Sequence, residues 1–182
     1  MECAEYSVSL WNIQLGIMDR ICCIVDFEGF WVNSTFLARE IGWINISTGM
    51  SGTVRFDLRG YQRSLPDLMN CDYITENISG LTFEPMLGEP TISPHLLDGK
   101  IREIYSNCRT PYKHVIAYKG GHVEKDVLER LGIPCINLEL FNCPKFEQIS
   151  RGNYQTCGFH KYNGHCPLAE VHAFRAWMLA RL

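Results

Sequence analysis

The stretch Arg20-Ile21-Cys22-Cys23-Ile24-Val25-Asp26 is a short apolar run that ends on a carboxylate. Continuous apolar character over so few residues suits a central strand buried on both faces. Phe27 and Glu28 follow. Residues two apart in a strand point to the same side, so Asp26 and Glu28 are expected to present their carboxylates together at the strand's end. Working outward, residues 30–32, 36–46 and 54–58 read as further strands of a meander, with turns at Gly29, Asn33-Ser34 and residues 48–52.

Residues 59–94 carry Gly60, Pro66, Gly80, Pro85, Gly88 and Pro90 and read as loop. Ser93-Pro94 then supplies an N-cap and a proline at the first helical position. The helix it opens is expected to reach about Cys108, with Leu96, Leu97, Ile101 and Ile104 inward. A strand over 114–118, a glycine turn over 119–122, a helix over 123–131 stopped by Gly132 and a short strand over 135–140 follow. Pro167 opens a last helix with Leu168, Val171, Phe174 or Arg175, and Met178 on one face. A meander followed by alternating strands and helices predicts an α/β fold, a mixed sheet flanked by helices. The domain is expected over residues 21–182, after an N-terminal extension over 1–20.

With 182 residues, 46% of them hydrophobic and 20% charged, the chain has the composition of one globular domain. No apolar run approaches the ~20 residues of a membrane span, and Glu2 and Glu5 without a basic cluster argue against an export signal. Nine cysteines at irregular intervals then suggest reduced thiols and a metal site, and an intracellular protein, cytoplasmic or nuclear. A net charge of -3 argues against a protein that coats nucleic acid electrostatically. It leaves room for an enzyme that holds a few nucleotides beside acidic metal ligands.

Two carboxylates at a strand end can share a pair of divalent cations, one activating water and the other stabilising a leaving oxygen. Glu124, at the start of a helix after a strand and the Lys119-Gly120-Gly121 turn, is placed to join Asp26 and Glu28. Asp126 competes for that role, but Leu128 four residues after Glu124 fits an inward anchor. His165 and Glu170 complete the set, the histidine to take a proton from water and the acid to bind metal. A second constellation, Cys157-x2-His160-x5-Cys166, has the donor types and spacing of a zinc site. His165 and Cys166 are adjacent, and adjacent side chains diverge, so they are assigned to different sites. Trp11, Trp31, Trp43 and Trp177 are expected in core or rim packing, and Lys119, Lys125, Arg102 and Arg130 as solvated charge.

Asp26-Phe27-Glu28, Gly121-His122-Val123-Glu124 and His165-x4-Glu170 resemble the motifs of the DEDDh 3′–5′ exonuclease superfamily, and residues 74–81 resemble the loop after the third strand in those enzymes. Glutamate in the middle motif is similar to the proofreading exoribonucleases of large RNA viruses. The resemblance covers most of the chain and implies a ribonuclease H-like fold. It also implies two Mg²⁺ or Mn²⁺ ions on Asp26, Glu28, Glu124 and Glu170, His165 as general base, and single- or double-stranded RNA as substrate. The sequence departs from the family at Glu170, where the last ligand is normally aspartate. A Glu-Cys-His-Cys zinc site on such a fold resembles Maelstrom domains and the exonuclease domains of arenavirus nucleoproteins. That likeness selects Glu40 as the fourth zinc ligand, with Cys143 as the rival. Four protein ligands leave no open position, which makes this zinc structural. Many Maelstrom domains have lost the catalytic set, so a degenerate RNA-binding or protein-interaction module is the alternative function.

Overall fold

The computed structural model of the chain describes residues 12–150, 154–162 and 164–182. Strand β1, Ile21–Val32, runs on past Asp26 and is buried over nearly its whole length. Gly29 therefore continues the strand instead of turning it. It lies opposite Ala38, where an added Cβ would collide with the Leu37 carbonyl oxygen. The reversal comes at Asn33 and Ser34, whose φ angles of 49° and 61° make the left-handed pair that closes a two-residue hairpin. Strand β2, Thr35–Asn45, follows, then β3, Ser51–Arg55. The third strand thus starts and stops earlier than the expected 54–58, and beyond it only Phe56 makes a bridge, to Ile92.

The stretch read as loop contains helix α1, Leu65–Ile74. Ser64 Oγ accepts the Asp67 N–H at 3.3 Å and Asp67 Oδ2 accepts the Ser64 N–H at 3.1 Å, a reciprocal cap. Pro66 falls in the first turn, where its missing N–H costs nothing, so a residue read as a breaker is a starter. Residues Thr75–Ser79 continue as a π-helical turn that ends at Gly80, φ 70°, so the expected loop 74–81 is mostly helical.

A 3-10 turn over Pro94–Leu96 leads into α2, Leu97–Cys108, which buries Ile101 and Ile104 while Leu96 faces out at 50% exposure. Strand β4 is Val115–Tyr118, helix α3 is His122–Arg130, and Gly132 follows at φ 68°. Strand β5, Cys135–Asn137, is shorter than expected. The Asn137 side chain accepts the Glu139 N–H at 3.0 Å and turns the chain into a 3-10 segment, Leu138–Phe141. A short helix α4, Phe146–Ile149, and the long α5, Pro167–Leu179, complete the chain.

The five strands form one mixed sheet in the order β3-β2-β1-β4-β5. β1, β2 and β3 are antiparallel neighbours, and β4 and β5 run parallel to β1. Helices α1, α2 and α3 cover one face through Cys71, Ile101, Ile104 and Leu128, packed against Cys23, Val25, Phe27 and Ile41. Helix α5 covers the other through Val171, Phe174, Trp177 and Met178, packed against Ile24 and Ile44. Among the described residues no helix is long and apolar enough to cross a membrane. Trp11 lies outside the described residues; Trp177 is buried, Trp43 is half-buried and Trp31 is 43% exposed. Lys119 and Arg130 are bound to Glu139 and Asp98 at 2.8 and 2.7 Å.

Candidate metal centres

Ile24 pairs with Ile44 on the α5 face, and the same register pairs Asp26 with Gly42 and Glu28 with Glu40. Side chains alternate along strands, so Asp26, Glu28 and Glu40 all project toward α5. Gly42 lets that helix close on the sheet, because a Cβ there would collide with the backbone of Pro167 and Leu168. Pro167 is the first helical residue, so this contact brings His165 and Cys166 just before it, and Glu170 in the first turn, down onto the carboxylates.

β1 outruns β4, whose last registered pair with it is Ile24–Ala117. The Phe27 N–H beyond that pair goes to Glu124 Oε1 at 3.2 Å. The first turn of α3 is thereby tied to β1 between Asp26 and Glu28. Glu124 is 6% exposed, whereas Asp126 two residues on is exposed.

Glu28, His165 and Glu170 offer ligand atoms that all lie within 4.8 Å of one another. His165 Nδ1 stands 3.4 Å from Glu170 Oε1, and its Nε2 stands 3.3 Å from Glu147 Oε1 on α4. Asp26 is 7% exposed and its Oδ2 has no hydrogen-bond partner among the described residues. Burial, then the charges of Glu170, Glu124 and Glu28, hold the Asp26 carboxyl well above the ordinary carboxylate range. Burial and Glu170 lift Glu28 to about 8. Burial lifts Glu124 to about 7, against the opposing pull of its backbone hydrogen bonds. The hydrogen bond to Glu170 raises His165 to about 9. Glu28 and Glu170 thus meet around the His165 imidazole, and Asp26, with its orphan oxygen, and Glu124 lie close enough for the four carboxylates to repel one another. That donor set, all oxygen with one nitrogen, suits hard divalent cations.

The second cluster lies beside the first. Glu40, Cys157, His160 and Cys166 offer four ligand atoms within 4.8 Å of one another, and Glu40 is fully buried. Glu40 Oε2 is 3.1 Å from His160 Nε2 and 3.4 Å from Cys157 Sγ, and Oε1 is 3.9 Å from Cys166 Sγ. Such spacings are close to the edges of a tetrahedron about an ion with bonds of about 2.0–2.3 Å. The His160 Nδ1 meets Ser79 O at 2.7 Å, fixing the ring so that Nε2 faces the cluster. Burial lowers the His160 pKa, but its bonds to Cys157 and Glu40 prevail and lift it to about 10. Burial works to raise Glu40, yet His160 and Arg55 bring it below its usual value. His165 and Cys166 thus face different clusters. Cys143 lies elsewhere, in the core beside Leu138 and Phe174.

Three contacts carry no mark in the sequence. Ser79 reaches His160 only because the π-helical turn closes over the ligand loop, where the Lys161 N–H also meets Gly80 O at 2.7 Å. Glu147 and Arg55 belong to no motif and are brought in by α4 and by the β2–β3 register. No protein-family model matches the chain, and no curated protein matches it.

Proposed function

We propose that the chain is a metal-dependent 3′–5′ exonuclease of DEDDh type on a ribonuclease H-like fold, acting on RNA. The observation that carries this reading is the grouping of Glu28, His165 and Glu170, with Asp26 and Glu124 close enough to couple to them electrostatically, from β1, α3, α5 and the loop before α5, where the middle of β1 passes the carboxyl end of β4. The strand order supports the fold, since the chain crosses from β3 past β1 to β4, and α/β sheets bind ligands where the order reverses. RNA as substrate rests on the family resemblance.

Mg²⁺ or Mn²⁺ ions held by Asp26, Glu28, Glu124 and Glu170 would supply the activation of water and the neutralisation of the leaving oxygen. The protein's part is positional. Glu124 is held by the Phe27 N–H, Asp26 and Glu28 by the central strand, and Glu170 by the close approach of α5 at Gly42. His165 keeps its Nδ1 on Glu170 and its Nε2 beside Glu147; as general base, Nε2 would leave Glu147 to take the proton of the attacking water. In the Glu40–Cys157–His160–Cys166 cluster we assign zinc, which two sulfurs, a nitrogen and an oxygen in a closed shell select. That ion is structural and pins the start of α5.

One residue favours a second reading. Glu170 has one more methylene than the aspartate of the family pattern, which fits a degenerate, Maelstrom-like module that binds RNA or protein without hydrolysis. A labelled RNA with Mn²⁺ separates the two. Trimming from the 3′ end that Asp26→Ala reduces by about 10³-fold or more is the expected result. RNA binding with no hydrolysis under Mg²⁺ or Mn²⁺ would overturn the enzyme, and activity appearing only in Glu170→Asp would identify a degenerate nuclease.

A further inference from the structure

Arg55 is a buried cation beside the sulfur-bearing cluster that none of the roles above uses. It ends β3, directly across the register from Glu40 on β2. Its side chain is 5% exposed and that of Glu40 0%, with Nε 3.4 Å from Glu40 Oε2. The same oxygen faces His160 and Cys157. The guanidinium also lies 4.7 Å above the ring of Phe159, the residue between Gly158 and His160 in the ligand loop. One side chain therefore touches both the strand-borne ligand and the loop that carries two others.

Glu89 competes for this cation, 3.6 Å from Arg55 Nε. Glu89 is already matched, however, by Arg39, whose two terminal nitrogens meet its two oxygens at 2.7 and 2.8 Å. The Met86 N–H adds a further bond to Glu89 at 2.8 Å. The charge of Arg55 is thus left over for Glu40. Its Nη2 is buried with no hydrogen-bond partner among the described residues, so local hydrogen bonding does not explain why a guanidinium sits there. An apolar side chain would be cheaper to bury unless the site needs the charge.

It does need one once a dication binds. Two thiolates and a carboxylate outweigh a divalent ion by one negative charge, and a net buried charge is costly. We propose that Arg55 is the built-in counter-ion of the Glu40–Cys157–His160–Cys166 metal site and the positioning residue of its ligand loop. It neutralises the loaded site and holds Phe159, and with it Cys157 and His160, in the binding arrangement before the ion arrives. The inference rests on the metal reading of that cluster.

The test is Zn²⁺ affinity of the full chain, measured in competition with a chromophoric chelator, with the Co²⁺-substituted spectrum as a second readout. Loss of a partner outside the ligand shell weakens metal binding by about 10–100-fold, and Arg55→Gln is expected in that range. Arg55→Lys, which keeps the charge, is expected to bind more tightly than Arg55→Gln and to keep the thiolate-to-cobalt bands of the wild type. Arg55→Gln should also cost less in a Glu40→Gln background, where the loaded site is neutral without it. Wild-type affinity in Arg55→Gln, or equal losses in the Gln and Lys variants, would overturn the counter-ion role. Should Arg55→Gln not fold, the Arg55→Lys comparison with wild type still decides: a loss as large as 10–100-fold with the charge retained sinks it. A wild-type chain that takes up no Zn²⁺ or Co²⁺ at all would instead sink the metal reading beneath it.

Discussion

The two clusters share a sheet face, a helix terminus and the dipeptide His165-Cys166, yet they resolve their charge in opposite ways. Around Glu40 the protein supplies its own balance: Arg55 on one side, His160 on another, every ligand oriented by a neighbour. Around Asp26, among the described residues, His165 is the main balancing charge, with a smaller pull from His160 on Glu28, and carboxylates that repel one another are left to hold protons. On the proposed reading, a site balanced in advance would keep an ion for good and stabilise the fold with it. On the same reading, a site left unbalanced stores a repulsion that protons or an incoming ion relieve, as strained working sites do. The adjacency of the two means that the first can hold the second in shape.

The sharpest way to break that contrast is to remove a ligand from each side. Cys166→Ser takes away a sulfur and, with it, the proposed ion between the ligand loop and α5. Part of a structural metal's contribution is expected to go with it, and thermal unfolding to fall by roughly 10 °C or more, which at about 2–4 °C per kcal/mol for a chain of this size is at least about 3–5 kcal/mol. Asp26→Asn should do the reverse in the absence of Mg²⁺ or Mn²⁺ and raise the midpoint. If both substitutions destabilise alike, the two clusters do not differ as described. A smaller effect is expected from Gly42→Ala, whose Cβ has no room beneath Pro167. Overpacking of this kind costs about 1–3 kcal/mol. Because the contact sets the height of α5 over both clusters, zinc affinity and RNA trimming should fall together; loss of one alone would show that the sites are separately supported.

How far the sequence discloses these features depends on whether a signal is local. The buried strand ending at Asp26, the Asn33-Ser34 turn, the proline-opened helices and the run of strands then helices all follow from neighbouring residues, and the mixed sheet is as expected. The strand boundary at Gly29 misleads because glycine there answers to Leu37 across the sheet, not to a turn. Helix α1 is missed because Pro66 and its neighbours look like breakers until Ser64 and Asp67 are seen to cap each other. Residue types and spacing nominate the candidate ligands of both clusters except Glu40, which the family likeness selects, and the divergence of adjacent side chains separates His165 from Cys166. Arg55, Ser79 and Glu147 could not be nominated, since their roles depend on cross-strand register and on loops that close over the site.

The smallest effect probes the unbalanced cluster alone, with the sulfur cluster kept loaded. Glu28 and Glu124 titrate near 4.5 in the unfolded chain but at about 8 and about 7 in the folded one, and Asp26 moves the same way. Between those limits the folded state holds protons that the unfolded state has lost. Their stabilising contribution is complete below the unfolded value and disappears as pH rises through 7 to 8. His165, raised from 6.5 to about 9, adds a contribution of the same sign that fades at still higher pH. The acids with lowered values, such as Asp57 at about 2, act only in the acid range and leave this window alone. Zinc-loaded protein without Mg²⁺ or Mn²⁺ should therefore unfold at progressively lower temperature from pH 5.5 to 8.5. Either ion should flatten that slope by taking the place of the protons, and Asp26→Asn should both weaken the slope and blunt the response to the ion. A midpoint that holds steady or climbs across this range, with no response to either ion, would mean that these carboxylates meet without forming a cation site.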